Sequence, residues 1–197
     1  MSDLYKRLDE IQEIIFILGR DNDRVSTNLG SRLITESISE EEGTNRRFYV
    51  RAIFAFIEAI VEQHKKLILE LAEKRIVTLP KGAYEALSEH IYNVKDNGEI
   101  FPQFKYLQLQ RKLRAVYKIA GKAFGEPLNI NFGGKGWESF QSAIEIRDRL
   151  THPKSKEDCT VENENLDIVE SGANWFRGLN KEFVRIAVSH GNTHKWK

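Results

Sequence analysis

The sequence predicts an all-α protein, an antiparallel bundle of five or six helices. Three observations predict it. Apolar residues recur at helical spacing through most of the chain. Strand-like alternation is confined to the short runs RIVTL, PLNINF and CTVE. The 197 residues, 41% hydrophobic and 30% charged, suffice for one ordinary globular core.

The first helix is expected over residues 2–20. Ser2 or Asp3 caps it, and Leu4, Leu8, Ile11, Ile15 and Leu18 form its stripe. Residues 21–44 are polar and interrupted, and read as a connector holding a short helix around Arg32–Ser37. The longest pattern spans residues 45–74, with Thr44 as its cap and a wide apolar face from Phe48 to Leu71. A further helix is expected from Pro80 to Val94, ended by Asp96–Gly98. The next covers residues 102–123, with Tyr106, Leu109, Leu113, Val116 and Tyr117 on one side. A glycine-rich break, EPLNINFGGKGW, separates it from a helix over Trp137–Thr151. The last helix begins near Leu166 and reaches His190, and the tail GNTHKWK frays. No repeat or linker divides the chain. It reads as a single domain, residues 1–197, with a core bundle over 45–190.

Composition excludes several classes. The single cysteine, Cys159, permits no internal disulfide and reads as inert in a loop. No run is long and apolar enough to span a membrane, and the N-terminus is periodic and charged, unlike a signal peptide. A cytoplasmic protein without a membrane partner is expected. Net charge is +1, so any site for a polyanion must be local. NFGGKGW lacks the P-loop pattern and reads as a turn, although Lys135 near a helix start suits a phosphate. His190 and His194 lie four apart, but Gly191 and Asn192 should break the helix, so no metal is expected.

One such local feature lies between Phe101 and Gly125. Lys105, Arg111, Lys112, Arg114, Lys118 and Lys122 fall there without an acidic residue. They read either as a positive stripe for RNA or as a solvated face against an acidic neighbour. In the long helix, Arg51 and Glu58 fall near one line. Glu58, within AFIEAIV, is expected to be partly buried in an ion pair, or to orient a cationic site.

The stretch IEIRDRLTHPKS carries Arg147, Asp148 and His152 before Pro153. Its skeleton, R-x-x-x-x-H, recurs as Arg185 and His190 in RIAVSH, so the bare pattern is weak. Five helical residues turn through 500°, which leaves Arg147 and His152 roughly 140° apart on a continuous helix. They can act together only if the helix ends at His152 or a second subunit supplies one of them. Pro153 disfavours helical geometry at His152. Asp148, four residues before His152, is placed to hold its ring.

RDRLTHP resembles the RxxxxH signature of the HEPN superfamily, and RRFYVRAIFAFIEAIVEQHKK is similar to the long arginine- and glutamate-bearing helix of such proteins. Asp148 stands where asparagine is frequent. The resemblance implies an all-α fold, a homodimer with two motifs in one cleft, and metal-independent cleavage of single-stranded RNA without a cofactor. Arg147, Asp148 and His152 would be catalytic, giving a 2′,3′-cyclic phosphate and a 5′-hydroxyl. Arg51 and Glu58 would support them. Lys105, Arg111, Lys112, Arg114 and Lys118 would guide the strand, and Tyr106 or Trp137 would stack on bases. Such a protein would serve as a toxin, held by an antitoxin or other regulatory protein, or as a phage-defence effector. Some members lack activity, so a non-catalytic module binding RNA, a nucleotide or a protein is the alternative.

Overall fold

The computed structural model describes residues 9–14, 16–17, 19–20 and 39–194, and they form an all-α fold with one small β-hairpin. Every described position between residues 9 and 20 is helical, which defines α1. The helix expected around Arg32–Ser37 lies outside the described residues. The remaining elements are α2 (Glu40–Glu73), α3 (Ala83–Ser88), β1 (His90–Val94), β2 (Ile100–Phe104), α4 (Leu109–Ala123), α5 (Lys135–Thr151) and α6 (Asn163–His194). A single 3-10 turn, Glu157–Cys159, precedes α6.

The long helix starts earlier than expected. Ser39, not Thr44, caps α2: its hydroxyl accepts the Glu42 N–H at 3.1 Å. This is half of a Ser-x-x-Glu capping box, and Glu40–Glu42 place negative charge at the positive end of the helix dipole. The Thr44 hydroxyl instead donates to the Glu40 carbonyl.

The helices expected over Pro80–Val94 and 102–123 are both shorter. Between them the chain forms an antiparallel hairpin, with Val94 opposite Ile100 and His90 opposite Phe104. Asp96–Gly98 is therefore a hairpin turn, with Gly98 at φ 82° and its N–H donating to the Lys95 carbonyl at 2.8 Å. Pro102 is tolerated because both strands of a two-stranded ribbon are edges. The runs RIVTL, PLNINF and CTVE are not strands.

The chain divides into two compact units. The hairpin unit comprises Val61–Asn129 and the chain from Lys181. The motif unit comprises the described chain before Val61 and Ile130–Asn180. Helices α2 and α6 contribute to both.

In the hairpin unit, Leu67, Leu71, Leu87, Leu113, Val116 and Ile186 are buried. His64 is buried among them, stacked on Phe183 at 3.7 Å, with its Nδ1 3.0 Å from the Tyr117 hydroxyl. Glu89, in left-handed backbone geometry at φ 57°, fastens the hairpin base. Its carboxylate accepts the Leu107 N–H at 2.8 Å and meets Lys65 at 3.1 Å and Lys112 at 3.2 Å. Its carbonyl accepts the Lys105 N–H. Burial pushes the Glu89 carboxyl up, but the Leu107 N–H and the two lysines outweigh it and leave it below the usual range.

In the motif unit, an aromatic core joins Phe132, Trp137, Phe140, Trp175 and Phe176, with ring centroids 5.2–6.3 Å apart. Helices α5 and α6 approach closely at Gly172, where an added Cβ would lie 2.9 Å from Phe140 Cα. Buried Arg46 donates to the Val161 carbonyl and to Asn163 Oδ1, both at 2.9 Å, tying α2 to the start of α6.

Two predictions follow from this packing. Gly172→Ala should destabilise the protein by about 1–3 kcal/mol in urea unfolding, because the obstructing atom is backbone and cannot rotate away. Burial also lowers the pKa of His64 to about 3. The unfolded imidazole binds a proton below about pH 6.5, whereas the folded one does not until about pH 3. Stability should therefore fall by about 1.4 kcal/mol per pH unit as pH drops through that window. Thermal melts from pH 7 to pH 4 check this, and His64→Gln should flatten the His64 share of the slope.

Candidate functional site

Helix α5 ends where the sequence required. Thr151 is its last residue, and His152 leaves helical geometry at φ −129° and ψ 61°. The His152 N–H still closes the last turn on the Asp148 carbonyl at 2.9 Å. Its side chain is exposed and makes no hydrogen bond or ion pair among the described residues. Beyond Pro153 the loop is folded: Asp158 Oδ2 accepts the N–H groups of Lys154 and Ser155 at 2.8 and 3.1 Å.

Arg147 is the better-anchored member of the pair. Its guanidinium lies 5.2 Å from the Phe54 ring centroid and 2.9 Å from Glu58 Oε1 on α2. A second nitrogen meets Asp148 Oδ1 at 3.2 Å, and Nε is buried without a hydrogen-bond partner among the described residues. Two expectations change here. Asp148 engages Arg147 through its carboxylate, whereas it reaches His152 only through its backbone carbonyl. Glu58 makes the expected ion pair, but its side chain, expected to be partly buried, is 49% exposed. Two turns earlier on α2, Arg51 donates to the Leu150 carbonyl at 3.0 Å. Arg51 therefore caps the C-terminus of α5, where orphan carbonyls and the negative end of the dipole favour a cation. It supports the position from which His152 departs rather than Arg147 itself.

The second R-x-x-x-x-H lacks this geometry. Arg185 and His190 lie within α6, which continues through Gly191 and Asn192 to His194, contrary to the break expected there. The two side chains are held roughly 140° apart. Arg185 is committed to Glu126 at 2.9 Å and Glu182 at 3.1 Å, and the His190 ring packs 5.4 Å from Phe124. Arg185 and Ser189 hold the Glu126 carboxyl below its usual range.

The positive stripe on α4 is present in altered form. Arg111, Arg114, Lys118 and Lys122 are all exposed, within an arc of about 80° on the helix. Lys112 is turned away into Glu89 and Glu62. Lys105 precedes the helix and is exposed. Trp137, expected as a base-stacking group, is 2% exposed and belongs to the aromatic core. Lys135 is the first residue of α5, and Cys159 closes the 3-10 turn.

No group of three or more His, Cys, Asp or Glu side chains among the described residues is arranged to hold a metal ion. No described helix is long and apolar enough to cross a membrane.

The carboxylates around Arg147 stand 49% and 57% exposed, so solvent screens both pairs. Asp148→Ala should change stability by less than about 1 kcal/mol in urea unfolding. A larger loss would mean that Asp148 holds the end of α5 together.

In comparisons with known proteins, the chain matches no protein-family description, no curated protein and no solved structure.

Proposed function

We propose that this protein is a HEPN-like, metal-independent endoribonuclease acting on single-stranded RNA, with two copies bringing their Arg147 and His152 into one cleft. One observation carries the proposal. Of the two R-x-x-x-x-H segments, only Arg147–His152 meets the end of a helix, so only there can the histidine turn toward the arginine.

The chemistry assigned to the residues is as follows. The exposed His152 imidazole takes the proton from a ribose 2′-hydroxyl, and imidazole suits proton transfer near neutral pH. The 2′-oxygen attacks phosphorus and forms the new P–O bond. The bond to the 5′-oxygen breaks, and that oxygen takes a proton from the protonated imidazole of the second copy. The products are a 2′,3′-cyclic phosphate and a 5′-hydroxyl. Arg147 presents its planar fork to the phosphate oxygens. The phosphate must displace Glu58 or Asp148, which costs little because each of these carboxylates stands half in water, about 0–1 kcal/mol. In this reading the protein serves as a toxin or a phage-defence effector.

The other reading is a non-catalytic HEPN-like module that binds RNA. It is favoured by the same carboxylates: Arg147 is already neutralised and carries no net attraction for phosphate until one of them moves.

Cleavage of a labelled single-stranded RNA in EDTA separates the two. The proposal expects cyclic-phosphate products, reduced by at least about 100-fold in Arg147→Ala and in His152→Ala with unchanged circular dichroism. Cleavage that survives both substitutions rules out this site. RNA binding without any product favours the binding module.

A further inference from the structure

The hairpin carries an apolar face that nothing among the described residues covers. Alternation along the strands places Tyr92, Val94, Ile100, Pro102 and Phe104 on one side, because Tyr92 pairs with Pro102 and Val94 with Ile100. A hairpin usually turns its apolar side to the core. Here Tyr92 is 62%, Phe104 61% and Val94 68% exposed. Tyr106, just past the strand, is 80% exposed. Its ring is nearly parallel to that of Phe104, at 14° and 6.1 Å between centroids. The His90 ring braces Phe104 from the pairing side at 4.2 Å.

Charge indicates what this face receives. Lys105, between Phe104 and Tyr106 in the sequence, is exposed and makes no ion pair among the described residues. The stripe on α4 starts five residues after Tyr106. Arg111, Lys118 and Lys122 on it also make no ion pair among the described residues. Two other lysines are already answered: buried Lys65 and half-buried Lys112 belong to Glu89 and Glu62. Those carboxylates therefore leave the exposed cations alone. Glu89 also fixes the hairpin to the chain leading into α4, through the Lys105 and Leu107 N–H groups. Exposed aromatic faces, followed within a few residues of the chain by cations without ion pairs among the described residues, suit a ligand with flat apolar bases and a negative backbone. A purely apolar protein surface would leave the cations unanswered.

We infer that the hairpin face, with Tyr92, Phe104 and Tyr106, is a stacking platform for single-stranded RNA whose phosphates run along Arg111, Lys118 and Lys122. The platform rests on the reading of the protein as an RNA-acting one. It lies apart in sequence from Arg147 and His152, and acts on affinity rather than on the bond-breaking step.

The test is fluorescence anisotropy of a short labelled single-stranded RNA with the full chain carrying His152→Ala, which removes cleavage from the readout. Phe104→Leu and Tyr106→Leu keep an apolar side chain and remove the aromatic face. Each should weaken binding by about tenfold, with the hairpin intact by circular dichroism. Arg111→Ala and Lys118→Ala should each lower the slope of log affinity against log salt by about 0.7. Leucine variants that bind as tightly as their parent overturn the platform. Cleavage by the wild-type chain in EDTA would then leave the Arg147–His152 reading standing. Absence of both binding and cleavage overturns the two together. A dimer that dissociates on Phe104→Ala, seen by light scattering, assigns the face to a second copy and overturns the platform.

Discussion

A helix turns about 100° per residue, so the places where helices begin and end decide which side chains of this protein can act together. Helix α5 stops at Thr151 because Pro153 disfavours helical geometry in the residue before it. Arg51 makes the stop tolerable by satisfying the Leu150 carbonyl. That single termination turns Arg147 and His152 from residues on separate faces into possible partners. Helix α6 shows the converse. Nothing ends it at Gly191, a residue permitted though unfavourable within a helix, so Arg185 and His190 stay apart. Helix α4 begins at Leu109 rather than 102, and the seven residues released complete a strand and expose Phe104 and Tyr106.

The two kinds of charged cluster differ in how much water reaches them, and this sets their roles. Lys65 and Glu89 have side chains only 9% and 6% exposed. Without Glu89, Lys65 keeps only Glu62, and without Lys65, Glu89 keeps Lys112 and the Leu107 N–H, in a site that water scarcely reaches. Such a cluster is structural: it holds the base of the hairpin. Arg147 is different. Its own side chain is largely covered, while Glu58 and Asp148 stand half in water. A cation fixed in place, with partners half in water, suits the role proposed for Arg147 of receiving phosphate. Arg46, buried and engaged by Glu42, Val161 and Asn163, is likewise structural.

Much of the fold was legible because it rests on periodicity. The long apolar face of α2, the stripe of α6 and the end of α5 at Pro153 all register in the sequence. So did the stripe on α4, since Arg111, Arg114, Lys118 and Lys122 recur at helical spacing. The hairpin was missed although its signal was present: HIYNV and IFPQF alternate on either side of Asp96-Asn97-Gly98, a turn sequence. Leu87, Tyr92 and Val94 on one side, and Leu109 to Ala120 on the other, extended the helical pattern across it. Ser39 does not stand out as a cap in the sequence because the apolar pattern of α2 starts nine residues later. The pairing of Lys112 with Glu89 and the burial of Trp137 depend on contacts distant in sequence, which no local pattern encodes.

The position of Asp148 follows from the same limits. Four residues separate it from His152, the spacing at which helical neighbours meet. Yet His152 is no longer helical, so the rule that aligns the two lapses at the residue that matters. The carboxylate turns instead to Arg147, the adjacent residue, at 3.2 Å. The termination that frees the imidazole thus also removes its intrahelical partner. No described residue orients His152, so in the proposed mechanism the substrate or a second copy of the chain would have to do so. The proposed dimeric cleft would supply an orienting group, whereas within one protomer the exposed imidazole is unpartnered among the described residues.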